Sequence, residues 1–285
     1  MAELLESRNC QHRDCCMNEK ATGSMMEPGS TSRLLSVIVA TRNERVCAPL
    51  LVSQLSQALA DVPSEIIFVD DSDDDTPELI ERVAAESPLS IRVIHREGDA
   101  QRGGLSTAVL DGLKVSGGEY VCIMDADLQH PPELVSQLLS RARESAADIV
   151  IASRYIKGGS IAGLGGFTRK AISWGAKWLV KILFPHRLRS ISDPLSGFFL
   201  ARRTLLSETT LRPEGFKILL DTLMRCHWSK VEEIPLQFAA RAGGDSKANL
   251  SQGRNFIVQV WKLLWDLRIA RFVGRSRRSD YREKA

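Results

Sequence analysis

Tyr120-Val121-Cys122-Ile123-Met124-Asp125-Ala126-Asp127-Leu128-Gln129-His130-Pro131-Pro132-Glu133 is the stretch on which the fold turns. Its first five residues are apolar and include aromatic and β-branched side chains, which predicts a short buried parallel strand. Pro131 and Pro132 then open a helical pattern, prolines being tolerated in a first helical turn. Asp125 and Asp127 therefore fall at the carboxyl end of a strand, the edge at which open α/β sheets bind ligands. Two residues apart, the carboxylates can face the same way, and Gln129 continues the series with a neutral oxygen. Such hard oxygens suit Mg²⁺ or Mn²⁺, which take carboxylates together with substrate phosphates. A solvated aspartate pair in a strand-end turn is the alternative that this spacing leaves open.

On the N-terminal side, Leu34 to Ala40 reads as a first strand, followed by the polar loop Thr41-Arg42-Asn43-Glu44 and a helix ending near Leu59. A second strand, Glu65 to Val69, runs into Asp70-Asp71-Ser72-Asp73-Asp74-Asp75. Asp75-Thr76-Pro77-Glu78 has the pattern of a capping box with Asp75 as N-cap. Asp73 and Asp74 read as a solvated turn, and Asp70 and Asp71 as strand-end acceptors for a base or ribose. After a third strand, Ile91 to Ile94, Arg102-Gly103-Gly104-Leu105-Ser106-Thr107-Ala108 opens a helix reaching about Val115. Glycines at a helix start let backbone approach a phosphate, which the helix dipole favours, but this is not the spaced dinucleotide fingerprint. A fifth strand, Asp148 to Ala152, ends in Ser153-Arg154-Tyr155. The regular alternation predicts one parallel sheet with helices on both faces.

Farther on, Thr168 to Phe184 is helical, with Ile172, Ala176, Leu179 and Leu183 on one stripe. Lys170, Trp174, Lys177 and Lys181 form another, and Trp178 lies between them. Tryptophans beside lysines predict a helix at a membrane interface; a core helix with a basic outer face is the alternative. Ser192-Asp193-Pro194-Leu195-Ser196-Gly197-Phe198-Phe199 is a turn entering a strand. A helix from Gly215 to Cys226 and a strand from Val231 to Phe238 follow, and then a basic loop, Arg241 to Lys247. The last helix, about Arg254 to Phe272, is amphipathic, carrying Trp261 and Trp265, and leads into an arginine-rich tail suited to an anionic leaflet.

The 285 residues divide into a polar disordered leader, 1–32, a catalytic domain, 33–250, and an amphipathic helix with a basic tail, 251–285. A net charge of +3 shows no bias toward nucleic acid. No apolar run approaches the ~18 residues of a membrane span, and no signal-peptide core opens the chain. The six cysteines have no zinc-ligand spacing, which, with Cys122 inside a strand, favours a reducing compartment.

Taken together, Val69-Asp70-Asp71, the Arg102–Ala108 and Met124–Glu133 stretches, Ser153-Arg154-Tyr155, the Asp193–Phe199 stretch and Ser246-Lys247 resemble the family-2 glycosyltransferases of the GT-A fold. Within that family they are most similar to the polyprenyl-phosphate sugar transferases, the dolichol-phosphate mannose synthases among them. One departure is Ala40-Thr41-Arg42-Asn43-Glu44, where the family usually shows Pro-Thr-Tyr-Asn-Glu, so the stacking partner of the nucleobase differs. The resemblance implies a mixed, mainly parallel sheet and an inverting transfer of a hexose to a polyprenyl or dolichyl phosphate. The expected donor is GDP-mannose, with UDP-glucose the alternative; a non-catalytic nucleotide-sugar-binding adaptor at a membrane is the reading of another class. It also implies a metal, Mg²⁺ or Mn²⁺, on Asp125, Asp127 and Gln129. Donor contacts are expected from Thr41, Asn43, Glu44, Asp70, Asp71, Arg102, Gly103, Asp125 and Ala126. Asp127, Arg154, Arg169, Asp193 and Lys247 are the expected catalytic set. In that set Arg154 and Arg169 hold the acceptor phosphate, Lys247 closes over the donor phosphates, and Asp193 orients an arginine in preference to acting as base. The chain is then expected at the cytoplasmic side of a membrane, peripherally bound, with a possible membrane-anchoring subunit as partner.

Overall fold

The run Tyr120 to Met124 does form a buried strand, β4 (Tyr120–Asp125), and the rest of the sheet is arranged around it. A computed structural model describes residues 33–209, 211, 217–239 and 253–266. The expected leader, Lys247 and the arginine-rich tail lie outside the described residues. In chain order the strands are β1 (Leu35–Thr41), β2 (Ser64–Asp70), β3 (Ser90–His95), β4, β5 (Ile149–Ser153), β6 (Phe199–Arg202) and β7 (Val231–Pro235). The helices are α1 (Cys47–Ala58), α2 (Thr76–Ala84), α3 (Leu105–Val115), α4 (Leu134–Ser145), α5 (Phe167–Leu183), α6 (Pro185–Leu188), α7 (Arg203–Ser207) and α8 (Ile218–Arg225). Residues 253–266 form a further helix, α9.

The strands make one sheet in the order β3-β2-β1-β4-β6-β5-β7. All pairings are parallel except those of β6, which runs antiparallel to both β4 and β5. The alternation of side chains along each strand feeds two cores. Val37, Val39, Ile66, Phe68, Cys122 and Met124 pack with α1, α2 and α4 on one face. Ile38, Ile67, Val69, Val121 and Ile123 pack on the other with α3, α5, α8 and α9, which contribute Val109, Val180, Leu219 and Val260. Each such fully buried aliphatic side chain stabilises the fold by roughly 1.5–3 kcal/mol relative to exposure. Helices thus cover both faces, which is why the strands read as continuous apolar runs.

Two features of this topology place the site. The chain order reverses at β1, which lies between β2 and β4, and a crevice opens at such a switch point outside the carboxyl ends of the strands. Register there puts Thr41 beside Asp70 and Ala40 beside Asp125. Because β6 is antiparallel, the chain enters it at the same edge, with Phe199 paired to both Ile123 and Ile151. The Asp193–Phe198 turn is therefore delivered to the crevice.

One local expectation is corrected. Asp75 occupies the N-cap of α2 but its side chain makes no cap bond, reaching Arg45 instead at 3.2 Å. The carboxylate at the helix start is Asp74, which accepts from the Thr76 amide at 3.1 Å and from its hydroxyl at 2.5 Å. Asp74 is thus a cap where a solvated turn was expected. The Asp75–Glu78 spacing pointed to Asp75, but that side chain is turned to Arg45 and the bonds to the helix start come from Asp74.

Candidate active site

On the β1–β2–β3 side, the expected donor residues are tied mainly to one another. Asp70 has no exposure. Its carboxylate accepts from the Thr41 hydroxyl at 2.7 Å, the Ser72 amide and hydroxyl at 3.1 and 2.6 Å, and lies 2.8 Å from His95 Nδ1. Thr41 and Asp70 are therefore buried organisers, and the reading of Asp70 as an open acceptor for a base or ribose is corrected. Asn43 adopts a left-handed φ of 52°. Its side-chain oxygen accepts from the Asp73 amide at 2.9 Å, while its own amide donates to Ser72 Oγ at 2.8 Å. The Glu44 amide donates to Thr76 Oγ1 at 3.1 Å, so the loop is fastened to α2.

Asp71 is gripped by Arg96, a residue the sequence did not single out. Arg96 Nε and Nη2 donate to the two Asp71 oxygens at 2.8 and 2.7 Å. Its Nη1 donates to Thr107 Oγ1 and Asp111 Oδ2 at 3.0 and 3.1 Å, and Nη2 also reaches the Gly104 carbonyl at 3.2 Å. One buried guanidinium thus ties the end of β2 to the start of α3. Gly103 and Gly104 both have positive φ, 92° and 58°, which explains two glycines at that turn. Arg102 is exposed and pairs with Asp99 at 2.8 Å.

Asp125 ends β4 with its side chain 43% exposed. The chain then folds back sharply. Ala126 and Asp127 are buried, Leu128 takes a left-handed φ of 60°, and the Gln129 amide donates to Asp127 Oδ1 at 3.1 Å. The Asp125 amide donates to His130 Nδ1 at 3.1 Å, so the imidazole proton sits on Nε2, 3.9 Å from Asp125 Oδ2. Burial pushes the His130 pKa down to about 4, which keeps the ring neutral and able to accept that bond. The ring stacks on Phe198 at 4.9 Å. Gly197 passes so close that a Cβ there would lie 3.2 Å from Asp125 Oδ2.

Gln129 has a second task. Its Nε2 donates to the carbonyls of Gly163 and Ala239, both at 3.1 Å, and its carbonyl accepts from the Ala239 amide at 3.2 Å. What this side chain can offer a metal is its amide oxygen alone. Among the described residues no group of three or more His, Cys, Asp or Glu is poised to hold a metal ion. Asp125 and Asp127 are a partial, oxygen-only set, the kind that Mg²⁺ or Mn²⁺ completes with substrate phosphates and water.

At the end of β5, Arg154 and Asp193 form a fork. Nε and Nη2 donate to the carboxylate at 2.7 and 2.8 Å, and the Arg154 amide adds a third bond at 3.1 Å. Asp193 is fully buried and Arg154 nearly so. Glu233 on β7 fixes the turn by accepting from the amides of Ser192 and Asp193 at 2.9 and 3.0 Å. The guanidinium lies against the rings of Tyr155 and Phe238.

Helix α5 lies beside this pair, with its tryptophans and most of its large apolar side chains turned outward, the arrangement of the interfacial alternative and not of a core helix with a basic outer face. Phe167, Ile172, Trp174, Trp178, Leu179 and Ile182 are exposed, Phe167 at 85% and Ile172 and Ile182 at 71% each. Val180 alone is fully buried. Two of the lysines turn inward: Lys177 Nζ sits 3.7 Å from the Tyr155 ring centroid, and Lys181 donates to the Ile191 carbonyl at 2.8 Å. Polar groups beneath the helix draw in these two lysines, so that only Val180, Ala176 and Leu183 pack on the core while the larger apolar residues stay outside. Arg169 is exposed in the first turn of α5.

The profile of glycosyl transferase family 2 matches residues 36–210, more than half of the chain. This chain belongs to glycosyl transferase family 2. A dolichol-phosphate mannosyltransferase of Pyrococcus furiosus is 39% identical over 241 residues, 84% of this chain and 66% of that protein. This chain thus spans just under two thirds of the archaeal relative's length. The Saccharomyces cerevisiae protein of the same name is 31% identical, over 83% of this chain and 88% of that one. Among solved structures, glucosyl-3-phosphoglycerate synthase of Mycobacterium tuberculosis superposes with a TM-score of 0.60 at 20% identity, covering 82% of this chain and 80% of the other. That likeness establishes the fold. A complex of the same synthase holds Mn²⁺, UDP-glucose and glycerol 3-phosphate.

In this family-2 chain Thr41, Asp70, Asp71, Asp125, Asp127, Arg154 and Asp193 lie at or beside one edge of the sheet. Sequence reasoning missed Arg96 and His130. His130 lay inside the quoted stretch and could have been found there. Arg96 is a single basic residue in ordinary surroundings, and nothing in its neighbours' spacing marks it. No helix among the described residues is long and apolar enough to cross a membrane.

Proposed function

We propose that this chain transfers a hexose, mannose from GDP-mannose, to a polyprenyl or dolichyl phosphate at a membrane surface, with inversion at the sugar. The names of its relatives support the sugar and the acceptor. The observation that carries the reading is the orientation of α5, which turns an apolar outer face to solvent above a buried arginine fork. Such a helix suits the acyl boundary of a bilayer, and the cations beneath it suit the phosphate of a lipid lying in that bilayer.

The acceptor phosphate is already anionic near neutral pH. One of its oxygens attacks the sugar's anomeric carbon, the bond from that carbon to the diphosphate breaks, and the nucleoside diphosphate leaves with the electron pair. No proton has to be removed from the nucleophile. Both oxygens of Asp193 are engaged by Arg154, and Asp193 therefore orients that arginine instead of serving as a base. Arg154 keeps Nη1 for a phosphate oxygen, and Arg169 stands where a lipid headgroup would enter. Asp71, held by Arg96, and the Asn43 loop form the wall that the nucleotide lies against. Lys247, outside the described residues, is the further cation for the donor phosphates. A divalent ion, Mg²⁺ or Mn²⁺, would be held by Asp125, Asp127 and the Gln129 amide oxygen, and its chemistry there is that of a Lewis acid for the leaving diphosphate. The partners are the donor, the lipid and the cytoplasmic face of a membrane, with an anchoring subunit as a further candidate.

The test is incubation with labelled GDP-mannose or UDP-glucose and dolichyl phosphate in anionic vesicles. A mannosyl lipid is the expected product. A glucosyl lipid would correct the donor. Tight nucleotide-sugar binding with no glycolipid from either donor would make the chain an adaptor and overturn the proposal.

A further inference from the structure

Strand β6 starts at Phe199, opposite Ile123. Two residues farther along β4, the Asp125 amide donates to a side chain, His130 Nδ1, at 3.1 Å. A backbone N–H can only donate, so Nδ1 is the acceptor. Between these two residues the chain doubles back, with Leu128 at a left-handed φ of 60°. Asp127 lies in the same turn and accepts from the Gln129 amide at 3.1 Å. A left-handed leucine persists only where its surroundings hold it, and the bond from Asp125 to His130 closes the loop that contains it.

The imidazole is itself boxed in, and His130 is 2% exposed. Phe198 stacks on it at 4.9 Å with the planes 23° apart, and Phe238 meets it edge-on at 5.7 Å. Gly197 closes a further side, since a Cβ there would lie 3.4 Å from His130 Cε1 and 3.2 Å from Asp125 Oδ2. Phe198 is fixed through Ser196, whose hydroxyl accepts from the Phe198 amide at 3.2 Å and donates to the Ala152 carbonyl at 2.8 Å. Phe238 also lies 5.7 Å from the Arg154 guanidinium, so one ring borders both the arginine fork and His130. The stacking and edge contacts are ones that a phenylalanine could make. A nitrogen buried among phenylalanines costs free energy unless it is hydrogen-bonded, and the bond to the Asp125 amide is what a histidine adds to this box.

We propose that His130 is a positioning residue for the Asp-x-Asp pair. Through Nδ1 it holds the backbone at Asp125, and with it the spacing at which Asp125 and Asp127 are offered to a divalent ion and the donor diphosphate. This rests on the metal reading proposed above. In this role His130 touches neither ion nor substrate. Partners that hold metal ligands in this way count for about ten- to a hundredfold in metal affinity.

The experiment separates the acceptor from the ring. His130→Phe keeps an aromatic ring beside Phe198 and Phe238 without the acceptor. His130→Asn keeps an acceptor without the ring, because Asn Oδ1 stands as many bonds from Cα as His Nδ1. Thermal midpoint, exchange of the Asp125 amide by NMR in the metal-free protein, and calorimetric affinity for Mn²⁺ with GDP present are measured for the full chain and both variants. His130→Phe should exchange that amide about tenfold faster, the weight of one hydrogen bond, and should bind Mn²⁺ about ten- to a hundredfold more weakly. His130→Asn should keep most of the slow exchange and most of the Mn²⁺ affinity, although the loss of its ring lowers the midpoint further than in His130→Phe. A purely structural ring would give the opposite order, with Mn²⁺ affinity following the midpoint. That order, or unchanged exchange and Mn²⁺ affinity in His130→Phe, overturns the proposal. If one variant does not fold, the other decides by the same two readouts, and failure of both to fold makes His130 a structural strut and overturns it too. If the unaltered chain binds no Mn²⁺ with GDP present, the metal reading fails, and the exchange of the Asp125 amide still decides whether His130 holds it.

Discussion

Arg96 and Arg154 each grip an aspartate through Nε and Nη2, Asp71 in the one case and Asp193 in the other. Their surroundings differ. Arg96 also donates to Thr107, Asp111 and the Gly104 carbonyl, so nearly every hydrogen it carries is spent inside the protein. Nη1 of Arg154 donates to no group among the described residues, and two aromatic rings flank the guanidinium. The side proposed to receive the nucleotide is thus closed upon itself by redundant bonds, a rigid wall. The side under α5 is left with unspent positive charge. A wall suits a ligand recognised by shape and backbone; spare cationic capacity suits one recognised by its anion.

Redundancy can be measured, and it gives the largest expected effect. Asp193→Asn leaves the buried Arg154 without the one carboxylate it pairs with among the described residues and should cost about 3–5 kcal/mol of stability. Asp71→Asn leaves Arg96 still paired with Asp111 and should cost only about 1–2 kcal/mol. Urea unfolding of both variants decides this, and equal losses would end the distinction between the two arginines. Next in size, Asp127→Asn should lower the transfer rate at least ~100-fold, the scale for removing a main electrostatic stabiliser. Chelator should abolish transfer in the unaltered chain, Mn²⁺ or Mg²⁺ should restore it, and flotation with vesicles should stay the same. Full activity in excess chelator would remove the metal from the site.

The Trp174→Ser and Trp178→Ser double variant should do the reverse of Asp127→Asn. Both rings are largely exposed and pack edge to face at 5.9 Å. Their loss should weaken binding to anionic vesicles by about tenfold, on the scale of withdrawing part of two buried aromatic surfaces from a bilayer, while leaving the thermal midpoint unchanged. A lowered midpoint with unaltered flotation would mean that α5 packs on protein.

The smallest effect is at His95, whose pKa is raised above 6.5, chiefly by its hydrogen bond to Asp70. A raised folded-state pKa contributes stability that is fully present below the unfolded value and is lost as pH rises through the folded one. His95→Gln keeps a donor for Asp70 without the charge. The stability gap between the two proteins should be widest below about pH 6.5 and should close as pH rises through the raised value, in a series of unfolding curves. A gap that widens with pH would place His95 neutral beside Asp70.

Much of this arrangement was legible in the residues. The apolar runs before Asp70, Asp125 and Arg154 could only be strands buried on both faces, and residues following such strands collect at one edge of the sheet. The pairing of Asp193 with an arginine was legible from the family pattern. The assignment of Asp70 as an open acceptor failed because a carboxylate at a strand end reads alike whether water or Thr41, Ser72 and His95 surround it. Which stripe of α5 turns inward was open for a related reason. Helical periodicity separates faces without saying which one meets the body of the protein, and here the presence of Tyr155 and the Ile191 carbonyl beneath the helix inverted the usual order.

By itself the sequence determined the alternation of strands and helices, the edge at which the carboxylates gather and the membership of family 2, because all three depend on periodicity and local motif. Tertiary structure alone decided which charges are spent and which remain available. That question depends on partners far apart in the chain: Arg96 with Asp111 and Arg154 with Asp193. A side chain's capacity to bind is what is left after its neighbours in space have been satisfied, and those neighbours exist only once the sheet has closed.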